Sequence, residues 1–241
     1  MKQDKKTNQI SFTINVSESL ANAIRRYVNH VPVVAFDEVE ISKNDSPLYD
    51  ETIAHRIGLI PLKMKGSPSE SKEFELKLKT DKEGYVYSEL LKGDLEVVYD
   101  KIPITFLSKN QELELVAFAK VGRGFEHAKF SPGLMFYRNL VELKFEKDCP
   151  QELVDLVPKK FVKSESGKII VEDLFACDVA EAALEAGKNK GKEYVKINKT
   201  DELLISIEAF GQMNSEEIFK KSIEELKEDL AQTVKKIEKA D

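Results

Sequence analysis

The chain has 241 residues, 41% hydrophobic and 33% charged, a composition that excludes intrinsic disorder and favours a packed core. Lys and Arg number 37 against 43 Asp and Glu, and a net charge of -6 excludes the general basic footprint of a nucleic-acid binder. There is no apolar run of membrane-spanning length, no secretory pattern in residues 1–6, and only two cysteines, Cys149 and Cys177, too few for a disulfide framework; these features point to a soluble cytoplasmic protein without a membrane partner.

Residues 10–16 alternate apolar and polar and predict a half-buried strand. Ser17 is placed to cap a helix in which Leu20, Ile24, Tyr27 and Val28 share one face. Asn22, Arg25, Arg26 and Asn29 fall on the other face, and Pro32 ends the helix. That second stripe is either an ordinary wet face or a clamp for carboxylates and carbonyls of a partner. Val33 to Ile41 predicts a strand. Asp50 to Ile57 predicts a short helix, acidic in its first turn and basic, through His55 and Arg56, in its last, with Gly58 as the residue just past its end.

Residues 64–73 read as a linker. Five β-like runs follow, Phe74 to Leu78, Tyr85 to Ser88, Leu95 to Tyr99, Leu113 to Val121 and Leu140 to Phe145, and predict a mostly antiparallel sheet inserted between the two ends of another domain. Residues 148–192 change texture, with a short helical pattern after Cys149-Pro150, a strand at Lys168–Val171, and an Ala-rich helix from Ala176. Tyr194 to Ile197 and Leu203 to Phe210 predict a hairpin. Asn214 and Glu217 form a capping box for a last helix. Its seam of Phe219, Ile223, Leu226, Leu230, Thr233 and Ile237 extends over about 36 Å and calls for a partner helix from another chain.

The three histidines, His30, His55 and His127, fit structural or interface roles better than acid–base chemistry. Gly122-Arg-Gly-Phe-Glu-His127 starts like a dinucleotide loop, but His127 stands where the third glycine belongs. A tight basic loop held against a partner is the expectation, with a small-molecule enzyme built around it as a competing reading. Around the cysteines, the order of helix, strand and Cys-led helix is ferredoxin-like. Glu152, Asp155, Ala180 and Ala183 replace the further thiolates that a four-iron cluster needs. The segment is either a cluster-free remnant or an α/β subdomain with two ordinary buried cysteines. Both readings predict no iron–sulfur cluster and no cofactor, and both disfavour a ferredoxin-like redox protein.

Leu20-Ala-Asn-Ala-Ile-Arg-Arg-Tyr27, Val33 to Ile41, and Asp50 to Leu62, with its Ala-His-Arg-Ile-Gly-Leu-Ile-Pro-Leu run, together resemble the RNA polymerase alpha-like assembly subunits, in particular their archaeal branch. Val121 to Pro132 and Ile207 to Gln212 are similar to further segments of that branch, so the resemblance covers nearly the whole chain. It implies an α+β fold: a split dimerisation domain of antiparallel strands and long helices (1–45 and 193–241), an inserted mostly-β domain (46–147), and a degenerate ferredoxin-like subdomain (148–192). It also implies a non-catalytic scaffold that pairs with the small subunit L. Subunits N and P and the large catalytic subunits then assemble on that pair. The heterodimer surface is expected at Leu20, Ile24, Tyr27, Phe219, Ile223, Leu226, Leu230 and Ile237. The large-subunit contact is expected at Asn22, Arg25, Arg26, Ala54, His55, Arg56, Gly58, Leu59, Ile60 and Pro61. No catalytic or metal-binding residue is expected.

Overall fold

Alternation and capping act where the sequence places them. A computed structural model describes residues 2–4, 8–64, 66, 72–145, 162–165, 168–171 and 195–239. In chain order, β1 (Lys2–Asp4) and β2 (Gln9–Ile14) lead into α1 (Glu18–Tyr27), which tightens into a 3-10 turn at Val28–His30. The Ser17 hydroxyl accepts the Leu20 N–H at 3.3 Å, the expected cap. Then come β3 (Pro32–Asn44), α2 (Asp50–Gly58), β4 (Phe74–Thr80), β5 (Gly84–Tyr87), β6 (Lys92–Gly93), β7 (Pro103–Leu107) and β8 (Leu113–Arg123). β9 (Gly133–Phe145), β10 (Val162–Glu165), β11 (Lys168–Val171), β12 (Val195–Ala209) and α3 (Ser215–Glu238) complete the described elements. The fold is mixed, with mostly antiparallel sheets.

Two compact units form. The described residues of 1–22 and 135–207 make one, and those of 23–134 and 208–241 make the other. The first carries a six-stranded sheet in the order β1-β2-β12-β9-β11-β10. Within it the buried Ser206 hydroxyl is satisfied by Gln9, whose Nε2 donates to it at 2.7 Å. The second unit carries a four-stranded sheet, β3-β8-β4-β6, and a two-stranded ribbon, β5-β7. Its core gathers Phe36, Ile53, Ile57, Leu62, Leu76, Leu78, Ile104, Leu107, Leu113 and Leu115, all under 2% exposed. Burial alternates along β4 and β8, so each strand turns one face to this core.

Four expectations change. β3 shares its sheet with the middle of the chain, because Val33 to Phe36 are all buried and the long ladder to β8 provides the neighbours they need. Leu140 to Phe145 belongs to β9 and lies in the six-stranded sheet, not beside β8. The predicted hairpin at 194–210 is a single 15-residue strand, β12. Its turn-like Lys199-Thr-Asp201 stays extended, with the Thr200 hydroxyl donating to the Leu140 carbonyl at 3.1 Å. Leu95 to Tyr99 is not a strand; only an isolated bridge joins Val97 to Leu62.

Candidate interaction surfaces

The Ala54–Leu62 run separates into an inner and an outer set. Ile53, Ile57, Ile60 and Leu62 are at most 1% exposed and fasten the segment to the core. His55 and Leu59 point outward, Leu59 being 56% exposed, while Ala54, Gly58 and Pro61 are half-buried between them. Arg56 is not a free outward cation: its Nη2 donates to the Pro103 carbonyl at 2.6 Å and ties α2 to the aromatic ribbon. Gly58 corrects the sequence reading. It is the last residue of α2 and is absent from the positive-φ glycines, and the cap falls on Leu59 with ordinary right-handed angles.

The outward face of this segment borders a groove of about 270 Å³. Asp37 and Val39 of β3 line one side, Ala54, His55, Gly58 and Leu59 the floor and far side, and His127 and Lys129 the end. Two motifs that looked unrelated in the sequence therefore meet here. Asp37 sits at a β-bulge, where the register of β3 against β8 slips between Phe36 and Glu38. Bulges re-aim side chains. Lys120 and Lys129 both reach the Asp37 carboxylate, at 2.7 and 2.8 Å. Partial burial pushes its pKa up, but the hydrogen bonds and charge of the two lysines outweigh that and hold the carboxyl below its ordinary range. Because the folded pKa lies below the unfolded one, the native state binds fewer protons in acid. The stabilisation is present above the unfolded value, near pH 4, and is lost as pH falls through the folded one. Asp37→Asn is expected to cost about 1 kcal/mol at pH 7 and to flatten the loss of stability below about pH 4, measured by urea unfolding against pH.

The Gly122–His127 loop is fastened to its own chain at its base, while Phe125, Glu126 and His127 stay exposed. The Phe125 N–H donates to the Asn29 carbonyl at 3.2 Å, Arg123 Nε donates to the His30 carbonyl at 3.2 Å, and the rings of His30 and Phe125 are 4.9 Å apart. A Cβ on Gly122 would stand 2.6 Å from the buried Phe130 ring, and one on Gly124 would stand 2.7 Å from the Asn29 side chain. The glycines serve close packing, and no phosphate cradle is needed to explain them. His127 Nδ1 accepts the Lys129 N–H at 3.1 Å.

α1 and α3 build a second surface. Asn214 caps α3, its side chain accepting the Glu217 N–H at 2.8 Å, while the Glu217 carboxylate pairs with Lys221 at 3.0 Å. The Tyr27 hydroxyl donates to Asp229; that bond raises the phenol pKa and joins the end of α1 to the middle of α3. Of the eight residues expected to meet a partner, Ile24 and Leu226 are buried in this chain at 5% and 8% exposure. Tyr27, Phe219 and Ile223 are half-buried. Leu20, Leu230 and Ile237 stand 43%, 57% and 58% exposed. The inner face of α3 is Ile218, Ser222 and Leu226; the first two precede Phe219 and Ile223 of the seam read from the sequence by one residue, and Leu226 belongs to both. The four-residue spacing was visible, but serine in the middle hid it. Val234, 53% exposed, joins Leu230 and Ile237 on the outer half. On α1, Arg25 and Arg26 face outward, Asn22 is half-buried, and the Asn29 side chain is spent on Ser131, whose hydroxyl donates to it at 3.0 Å.

A family model described as the RNA polymerase Rpb3/RpoA insert domain matches residues 39–135, a stretch that includes α2 and the Gly122–His127 loop but not Asp37. The chain is 36% identical over 233 residues to DNA-directed RNA polymerase subunit Rpo3 of Pyrococcus horikoshii, covering 90% of this chain and 89% of that one. The chain belongs to the archaeal Rpo3 family. The Rpo3 of Pyrococcus furiosus is 33% identical over 231 residues, 89% of this chain and 87% of that one. That of Archaeoglobus fulgidus is 30% identical over 247 residues, 93% and 92%. Rpo3 is the archaeal alpha-like subunit, the branch that the sequence resembles. This Rpo3-family chain is therefore an RNA polymerase subunit. The residues expected to form a ferredoxin-like remnant, Cys149, Glu152, Asp155, Cys177, Ala180 and Ala183, lie outside the described residues. Among the described residues no cluster of His, Cys, Asp or Glu could hold a metal, and no helix is long and apolar enough to cross a membrane.

Proposed function

We propose that this chain is a non-catalytic scaffold subunit of a cytoplasmic DNA-directed RNA polymerase. It pairs with the small subunit L, and the pair forms the platform for subunits N and P and the large catalytic subunits. The observation that carries the reading is the outer half of α3, where Leu230, Val234 and Ile237 stand 57%, 53% and 58% exposed in one row. Scattered surface leucines are ordinary; a helical row of three is the mark of a helix that packs elsewhere. The pairing surface has Tyr27, Phe219 and Ile223 at its margin. The split dimerisation domain, the insert and the degenerate ferredoxin-like subdomain are the organisation that the resemblance implies, with β3 joined to the sheet of the insert and the end of β9 to the six-stranded sheet. No cofactor is needed: a four-iron cluster uses four ligands, usually thiolates, and the chain has two cysteines. Purified complex is expected to contain no stoichiometric iron in this subunit. The net charge of -6 supports contact with protein and not with nucleic acid.

The large-subunit contact is proposed on the exposed Arg25 and Arg26, with Asn22, and on the outward residues of Ala54 to Pro61. Arg25→Ala and Arg26→Ala are expected to leave pairing with the small subunit intact. Each is expected to weaken recruitment of a large subunit by about 1.5–3 kcal/mol, the range for charge-assisted hydrogen bonds, as measured by reconstitution from purified subunits. Lost pairing with intact recruitment would reverse the two faces. Co-expression with the small subunit tests the reading as a whole, since a chain that elutes alone is not this scaffold.

A further inference from the structure

We propose that α3 is a latch for the Gly122–His127 loop: its seating on the end of α1 keeps that loop ordered, so that a small subunit bound to α3 steadies the loop tip without touching it. The latch is a property of the single chain, and its link to pairing rests on the scaffold reading above.

The Val28–His30 turn is held from two sides. It is one turn of 3-10 helix, closed by the Val31 N–H on the Val28 carbonyl at 3.3 Å. Such a turn has poorer hydrogen-bond geometry than an α-helix, so its neighbours decide how well it stays formed. The loop grips it from one side, through the bonds of Phe125 N–H and Arg123 Nε to the carbonyls of Asn29 and His30. α3 grips it from the other. Tyr27, directly before the turn, donates its hydroxyl hydrogen to Asp229. The Tyr27 and His30 rings stack 4.3 Å apart at 21°, and the His30 ring also meets that of Phe125. An unbroken line of contacts therefore runs from Asp229 through Tyr27 and His30 to Phe125, the kind of packed path that carries coupling between sites. A second link lies beside it. Arg123, at the base of the loop, lines a cleft of about 190 Å³ with Glu225, Glu228 and Asp229 of α3, and a guanidinium facing three carboxylates draws the loop base towards that helix. The tip itself is thinly covered: Phe125 is 59% exposed, and Glu126 and His127 are exposed beside it. A segment with so little buried surface opens locally at low cost. Loosening α3 frees Tyr27 and the His30 ring and makes that opening more frequent; fixing α3 makes it rarer.

Amide hydrogen exchange of the full-length chain, alone and with the small subunit, tests the latch. Tyr27→Phe deletes the bond to Asp229 and keeps the ring, and Asp229→Ala deletes it from the other side. Lys227→Ala changes an exposed residue of the same helix that does not line the cleft. Exchange at the Phe125 amide is expected to rise about threefold or more in the first two variants, the effect of losing one hydrogen bond, and to stay at the wild-type rate in the third. Exchange along β8 up to Val121 is expected to be unchanged in all three. Binding of the small subunit to the wild-type chain is expected to slow exchange at Phe125 by about threefold or more. Wild-type exchange at Phe125 in both Tyr27→Phe and Asp229→Ala, or an equal rise along β8, would overturn the latch. Unchanged exchange at Phe125 in a pair that does form would overturn its link to pairing. A chain that does not bind the small subunit would overturn the scaffold reading, while the variants of the isolated chain still decide the latch.

Discussion

Leu226→Asp is expected to unseat α3 from its own chain, whereas Leu230→Asp, one turn further on, is expected to leave the chain folded and to abolish pairing with the small subunit. The difference is burial. Leu226 is 8% exposed, in line with Ile218 and Ser222, both fully buried, on the face of α3 turned to its own unit. An aspartate there forfeits the leucine's contacts and buries an unpaired charge, a cost of about 4 kcal/mol or more, against a total stability for a domain of about 5–15 kcal/mol. Urea unfolding of the isolated chain reads this directly. Leu230 is 57% exposed and its replacement costs the isolated chain about 0.5 kcal/mol or less. Its effect is expected only in size-exclusion chromatography with the small subunit. If Leu230→Asp still co-elutes at wild-type affinity, the outer half of α3 is not the pairing surface.

A similar pair lies in the α2 segment. Ile57→Ala is expected to cost about 3–4 kcal/mol, because Ile57 is 0% exposed and touches the core that Ile53, Ile60 and Leu62 also enter. Leu59→Ala, two residues along and 56% exposed, is expected to change stability by about 0.5 kcal/mol or less. It is expected to weaken large-subunit incorporation when the polymerase is reconstituted from its subunits. Equal stability of the two variants would contradict the inward and outward division of this segment.

How much of this was legible in the sequence follows from where the information resides. β4 and β8 were readable because one face is buried and the other wetter, and β2 because its apolar residues alternate with polar ones, so their period of two is written in residue type. The caps at Ser17 and Asn214 were readable because they are local chemistry. β7 was missed: Ile102-Pro-Ile-Thr-Phe-Leu107 is apolar on both faces, with proline at its start, and its pairing with β5 is set by a partner at a distance. The long β12 was broken in two because Lys199-Thr-Asp201 has turn chemistry, and it takes the sheet, including bonds to the neighbouring strand β9, to keep it extended. The groove was not legible as a site. Its residues come from β3, α2 and the turn after β8, and the residue that aims a carboxylate into it, Asp37, does so through a bulge that no periodicity announces. The run from Ala54 to Pro61 could be singled out by sequence, but which of its residues face outward, the bond of Arg56 and the conformation of Gly58 required coordinates.

The second unit is discontinuous in the chain, combining residues 23–134 with 208–241, and this constrains the order of events at the ribosome. Synthesis delivers the β3–β8 sheet early and the helix α3, which covers part of the face beside α1, only after residues 135–207 have been made. The root of that helix is pinned into the early part, with the Met64 N–H donating to the Gln212 carbonyl at 3.2 Å and Gly211, at φ 105°, lying against Val98. Domains fold as units as they emerge, but this one cannot close until its final stretch leaves the tunnel. Val28, 2% exposed in the finished chain, lacks its cover for the whole of that interval. A nascent chain stalled before residue 208 therefore leaves the end of α1 without the helix that packs on it.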